Sequence, residues 1–167
     1  AYSLSPNHRP DSRENLYGAW ALDWKLNDLQ RTALESLATL SQIRSNYLID
    51  AAEEFFTGDL DQESLRKDIA WFQSDGSEMA EGSWLEPQLR YLGFAIDARD
   101  AQGLFVAING GVSDLDFKLP GASWGNSYRS IFDSSESVSD FAPILKKPDD
   151  TFSIKALTLQ IWLINRS

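Results

Sequence analysis

The chain has 167 residues, a net charge of -10, 43% hydrophobic residues and 12% aromatics. That suits one medium domain, or one domain with an appended element, and is too rich in aromatics for disorder throughout. The acidic balance and scattered basic residues, with Lys146-Lys147 the only adjacent lysines, argue against binding nucleic acid or an anionic membrane through bulk charge, and are compatible with a neutral partner such as a sugar. The absence of cysteine excludes disulfides, a thiol nucleophile and Cys-ligated zinc, and fits a cytoplasmic protein.

Residues 1–18 are rich in Ser, Pro, Asn, Arg and Asp, which is loop chemistry. The start is polar, carries no apolar run and reads as no signal peptide. It lacks an initiator Met, so the chain is expected to be a piece of something longer. No apolar stretch approaches the ~20 residues of a membrane span. Asn27 or Asp28 is placed to cap a helix, and Leu29, Ala33, Leu37, Leu40 and Tyr47 follow as one stripe, widened by Leu34, Ile43 and Leu48. This predicts a long amphipathic helix ending near Leu48, whose stripe must be covered by the rest of the chain or by a further domain.

From residue 52 the pattern changes to short runs rich in aromatic and β-branched residues. Strands are predicted at 69–73, 89–97, 104–109, 115–119, 130–133, 152–156 and 159–165. Asp75-Gly76, Gly110-Gly111, Pro120-Gly121, Trp124-Gly125-Asn126 and Lys147-Pro148-Asp149-Asp150 punctuate them as turns. Asn109-Gly110-Gly111 lies between two strands and reads as a hairpin turn, not a phosphate loop. Residues 63–68 read as a short helical turn or a solvated loop. The expected fold is mainly β, an antiparallel β-sandwich preceded by one long helix.

Candidate chemistry is sparse. A glycosidase-type carboxylate pair needs two acids about 5–9.5 Å apart across a sugar, which sequence spacing does not establish. Asp23, between Leu22 and Trp24, is either a hydrogen-bonding anchor or functional. His8 stands in the leader without a second ligand at metal spacing, and no Gly-x-Ser-x-Gly elbow occurs. Among six tryptophans, Trp71 and Trp162 lie in strands and are expected in the core. Trp84 and Trp124 lie in loops, where they either stack on sugar rings or fold back as plugs over the sandwich ends. Trp20 and Trp24 precede the helix and are expected to pack at an interface. No catalytic residue, metal ligand or cofactor site is assigned.

Several of these segments together resemble a known family. Leu22-Asp23-Trp24 follows a Trp-Leu-Asp-Trp-type motif, Leu40-Ser-Gln-Ile-Arg44 a Leu-Ile-x-Leu-Arg helix pattern, and Phe55-Phe56-Thr-Gly58 an aromatic pair before Gly. Asp68-Ile-Ala-Trp-Phe, Asp75-Gly76 and Glu78-Met79 form the most specific segment. Trp84, Arg90-Tyr-Leu-Gly, Leu104-Phe-Val-Ala-Ile-Asn109 and Phe117-x-Leu-Pro120 follow in order. Over residues 15–133 the chain is similar to the C-terminal part of bacterial glycogen debranching enzymes, in the isoamylase-like branch of the α-amylase superfamily (glycoside hydrolase family 13). It departs from the family at Arg44-Ser-Asn-Tyr47, where Arg-x-His-Pro is usual, and at Trp20, one place early for the first Trp of the motif.

The resemblance implies that residues 1–50 are the end of a catalytic (β/α)8 barrel, its last helix included, and that 51–167 are the C-terminal β-sandwich. Asp23, Trp24, Trp71, Asp75 and Gly76 would then be structural motif residues. The family's three catalytic carboxylates lie upstream and match nothing here, so the chain alone is expected to be inactive. The implied partners are the upstream barrel and, through it, α-glucan, with no cofactor, nucleic acid or membrane, and self-association of the fragment through the helix face. A stand-alone glucan-binding module and a non-carbohydrate interaction domain are the alternatives.

Overall fold

The computed structural model of the chain describes residues 25–48, 55–62, 66–98 and 102–166. Asp23, Trp24, Trp20 and His8 lie outside these residues.

Among the described residues one α-helix, α1 (Asp28–Tyr47), precedes the strands. It begins where the sequence places its cap. The Asn27 side chain accepts from the Gln30 backbone N–H at 2.9 Å, and the Gln30 side chain accepts from the Asn27 N–H at 3.0 Å. This reciprocal box satisfies two N–H groups that a helix start leaves without partners. Asp28 in the first turn and Arg44 in the last complement the helix dipole.

Among the described residues eight strands follow: β1 (Ile69–Phe72), β2 (Tyr91–Ala98), β3 (Gln102–Asn109), β4 (Leu115–Lys118), β5 (Ser127–Asp133), β6 (Leu145–Lys146), β7 (Thr151–Ile154) and β8 (Thr158–Asn165). They form a six-stranded antiparallel sheet in the order β1-β2-β3-β8-β5-β6 and a two-stranded antiparallel sheet, β4-β7. Seven of the strands match predicted ones. β6 has no predicted counterpart, because Leu145 and Lys146 are too few to show alternation.

Gly110-Gly111 is not a hairpin turn. β3 and β4 belong to different sheets, so this segment is a corner between layers. Asn109 builds the corner: its buried side-chain amide donates to the carbonyls of Ser113, Ile154 and Lys155, and its Oδ1 accepts from the Gly111 N–H at 2.9 Å. A buried amide with its groups satisfied fixes the path of the chain.

The two faces of the large sheet follow from strand register. Across one face run Ala70, Ala95, Phe105 and Trp162 as successive partners. Phe117, Leu119, Phe152 and Ile154 of the small-sheet side cover this face and complete the main core. Gly93 lies on the same face, and a Cβ there would stand 2.8 Å from Cζ of Phe117. The missing side chain makes room for that ring.

Across the opposite face run Trp71, Phe94, Val106, Ile161 and Phe132. Phe132 reaches this face because a bulge between Ser130 and Phe132 shifts the pairing with β8 by one residue. A slip of one residue moves a side chain to the other side of the sheet. Phe132 therefore joins a second cluster with Leu104, Ile161, Leu163 and Ile43 of α1, flanked by Leu40, Tyr47 and Leu48. Only the C-terminal half of the helix stripe packs there. Leu29, Leu34 and Leu37 are exposed, Leu29 to 79%.

Candidate functional site: an aromatic surface beside β1

β1 is an edge strand of the large sheet. Its alternation buries Ala70 and Phe72 and turns Trp71 outward, where it is 37% exposed. The expectation that Trp71 belongs to the core is corrected. A strand with period 2 cannot bury three successive side chains on one face, and Ala70 and Phe72 already fill the inner one. Trp162 does lie in the core, as expected.

After β1 the chain reverses through the Asp75-Gly76 turn. Gly76 adopts φ of 82°, a conformation that costs glycine little. The Asp75 carboxylate accepts from the hydroxyl and the backbone N–H of Ser77, which holds its pKa below the ordinary carboxylate value. The returning chain bonds to β1 through the Met79 N–H and the Trp71 carbonyl at 2.8 Å. A short 3-10 helix, Glu81–Leu85, then carries Trp84 onto Trp71. The two rings meet edge to face with centroids 5.7 Å apart, and Phe94 flanks Trp71 at 5.4 Å. Trp84 remains 49% exposed.

Trp124 has a different environment. It is only 6% exposed and its ring meets Phe72 edge to face at 5.4 Å. Its carbonyl accepts from Nε of Arg166 at 3.1 Å. The expectation of a loop ring open to sugar is corrected for Trp124: it plugs the core, the other fate weighed for it. The residues expected to bind substrate are thus not brought together, and Trp71 takes the place beside Trp84.

Beside β1, Phe56, Thr57, Gly58, Lys67, Ile69, Trp71, Glu78 and Met79 help to line a cavity of 420 Å³. The segment over it is anchored by Asp68, whose carboxylate accepts from the backbone N–H groups of Thr57 at 2.7 Å and Gly58 at 2.8 Å. Partial burial raises the Asp68 pKa, but hydrogen bonds from Thr57, Gly58 and Ile69 outweigh it and hold the carboxyl below its ordinary value. Lys67 and Glu78 form an ion pair at the cavity. Sequence reasoning did not single out Phe56, Lys67 or Glu78 as neighbours. The available signal was the outward phase of Trp71, with Lys67 two residues beyond Ile69 on the same strand approach.

Among the described residues no three His, Asp or Glu side chains gather as a metal site, and no helix is long and apolar enough to cross a membrane.

No curated protein matches the chain. Among solved structures, it is similar to a GH30 endoxylanase from Clostridium papyrosolvens C71, with 22% identity and a TM-score of 0.38, over 47% of this chain and 21% of that one. The chain thus spans about a fifth of that relative. A family model described as "Isoamylase, C-terminal" matches residues 68–159. That match starts at the Asp68 anchor, takes in Trp71, the Asp75-Gly76 turn and Trp84, and runs through both sheets into β8. Covering more than half of the sequence, it makes this chain a member of the isoamylase C-terminal domain family.

Proposed function

We propose that this chain is the C-terminal part of a glycoside hydrolase, a bacterial, cytoplasmic glycogen debranching enzyme that hydrolyses α-1,6 branch linkages. The observation that carries the reading is the family match over residues 68–159. In this reading residues 1–50 end the catalytic barrel, α1 is its last helix, and 51–167 form the appended sheet domain. The exposed Leu29, Leu34 and Leu37 support it, since an apolar half-stripe next to a packed half suits an upstream domain. The barrel itself, of ~250 residues, exceeds this chain. The nucleophile and the acid/base carboxylates belong to the upstream part, which would form a covalent glycosyl-enzyme and retain the anomer. The sheet domain closes and stabilises the barrel.

The test is an assay of purified chain against glycogen limit dextrin, alone and with the upstream polypeptide supplied in trans or in one reading frame. Branch hydrolysis is expected only with the upstream part. Hydrolysis by the chain alone overturns the assignment, as does an inactive longer protein.

A second reading, a glucan-binding module, is favoured by one observation: Trp71 and Trp84 are both partly exposed at the edge of the sheet. It is compatible with the first, because a sheet domain attached to a hydrolase can also hold its polymer.

A further inference from the structure

We infer that the cavity beside Trp71 is a binding subsite for a neutral α-glucan, with Trp71 as its aromatic wall, Lys67 and Glu78 as its hydrogen-bonding pair, and Trp84 as the buttress that orients Trp71. This rests on the glucan reading above for the choice of an α-linked glucose polymer. The geometry stands on four observations.

The size is right. The cavity of 420 Å³ lies in the range of about 300–1,000 Å³ typical of small-molecule sites. The lining is of mixed character. Phe56 and Trp71 supply apolar surface, while Thr57, Lys67 and Glu78 supply donors and acceptors. A pyranose has the matching duality, with an apolar C–H face and a rim of hydroxyls. Indole faces are electron-rich and suit such polarised C–H groups.

The charge is balanced. Lys67 and Glu78 are opposite in sign and each is partly exposed. A pair of this kind is held weakly against solvent, so hydroxyls can insert between its members and gain charge-assisted hydrogen bonds on both sides. An anionic ligand would meet Glu78 and the chain's charge of -10, and a cationic one would meet Lys67. A neutral polyol meets neither difficulty.

The wall is held in place. The Trp71 and Trp84 rings meet edge to face, with their planes at 78° to each other. The Met79-to-Trp71 backbone bond and the 3-10 helix fix this angle before any ligand arrives, and such preorganisation favours binding.

The experiment titrates the whole 167-residue chain with maltoheptaose and, in parallel, cellohexaose, reading tryptophan emission and binding heat. Saturable binding of maltoheptaose is expected at a Kd on the order of 1 mM, as suits a single shallow subsite. Trp71→Ala is expected to weaken it at least tenfold, and Trp71→Phe to recover part of that loss. Glu78→Gln and Lys67→Met should each weaken binding severalfold, with unfolding midpoints near that of the parent chain. Trp84→Ala should weaken it less than Trp71→Ala. Absence of saturable binding up to ~20 mM, or a folded Trp71→Ala chain that binds as before, overturns the inference. Equal affinity for cellohexaose overturns the α-glucan assignment. None of these outcomes bears on branch hydrolysis by the longer protein, so failure of the subsite and failure of the hydrolase reading are separately visible.

Discussion

The two faces of the six-stranded sheet are built from similar residues and meet different fates. The inner face carries Phe72, Phe105 and Trp162 and is closed by Phe117, Leu119, Phe152 and Ile154. The outer face carries Trp71, Phe94, Val106, Ile161 and Phe132; among the described residues Ile43, Leu40 and Tyr47 of α1 cover one part of it, and near β1 it meets the ring of Trp84. Aromatic content therefore does not separate core from surface in this fold. What separates them is whether a second layer arrives. Where β4 and β7 arrive, an aromatic stack forms, with Phe117 on Phe152 at 5.8 Å and Phe152 against Trp162 at 4.8 Å. Beside β1 no second layer arrives among the described residues, and an aromatic surface is left for another use.

If the comparison holds, the inner face carries the stability. Phe117→Ala removes a fully buried ring that touches Phe105, Phe152 and Tyr91 and fills the space left by Gly93. Its expected cost is about 3–5 kcal/mol, the usual range for an aromatic removed from a core. Denaturant unfolding followed by tryptophan emission measures it. Trp71→Ala removes a larger but partly exposed ring and should cost well under half as much. Equal costs would mean that the outer aromatic surface is a second core and would break the comparison.

The outer face has one packed region, and Ile43 marks its centre. Ile43→Ala should cost about 2 kcal/mol, at the low end of buried aliphatic truncations because the helix can settle toward the sheet. The same denaturant curve gives the value. A loss under ~0.5 kcal/mol would show that α1 contributes nothing to the folded sheet domain, and would leave Leu104, Ile161 and Leu163 in need of another cover.

These contrasts also mark what was legible in the sequence. A cap at Asn27 or Asp28, the helix end near Leu48 and seven strands are readable, since each rests on local periodicity or on a side chain bonding its own backbone; the structure selects Asn27. The Asp75-Gly76 turn was readable for the same reason. Pairing between distant strands was not. Gly110-Gly111 looks like a hairpin until β3 is found beside β8 and β4 beside β7. The fate of Trp124 depends on Phe72 and Arg166, far from it in sequence. Trp71 is the instructive case. The alternation that turns it outward is present in Ile69-Ala70-Trp71-Phe72, but the unbroken hydrophobicity of the run masks its phase. The cavity beside it needs Phe56, Lys67 and Glu78 from three segments, and no local signal unites them.

The segment beside the cavity hangs on Asp68, and pH tests that link. Its folded-state pKa is held below the unfolded value of ~3.9. A carboxyl lowered on folding contributes its full stability above the unfolded pKa and loses it as pH falls through the lowered folded pKa. Asp68→Asn replaces a charged acceptor with a neutral amide against the N–H groups of Thr57, Gly58 and Ile69. The expected loss at neutral pH is about 1 kcal/mol, as for a partly solvated set of hydrogen bonds. The difference between parent and variant should shrink below about pH 4. Amide exchange at Thr57 and Gly58 reports the same loosening locally. A difference that stays constant down to pH 2 would detach the segment from Asp68 and weaken the account of the cavity.

The smallest expected effect sharpens the comparison most, because it divides one helix. Leu29 and Leu37 belong to the same apolar stripe as Ile43, yet both are exposed. In the isolated chain, Leu37→Ser and Leu29→Ser should each change stability by less than ~0.5 kcal/mol, the usual range for surface positions. If this half of the stripe faces an upstream barrel, the separated fragment presents it to solvent and is expected to self-associate through it. Sedimentation should then show concentration-dependent association of the parent chain, and the double Ser variant should shift toward monomer with an unchanged unfolding midpoint. A monomeric parent chain at high concentration would leave the exposed leucines without a role in self-association. A large stability loss in the Ser variants would mean that these leucines are packed after all. Only the combination of unchanged stability and reduced association assigns the two halves of α1 to different neighbours: the sheet for Ile43, and a surface outside the described residues for Leu29 and Leu37.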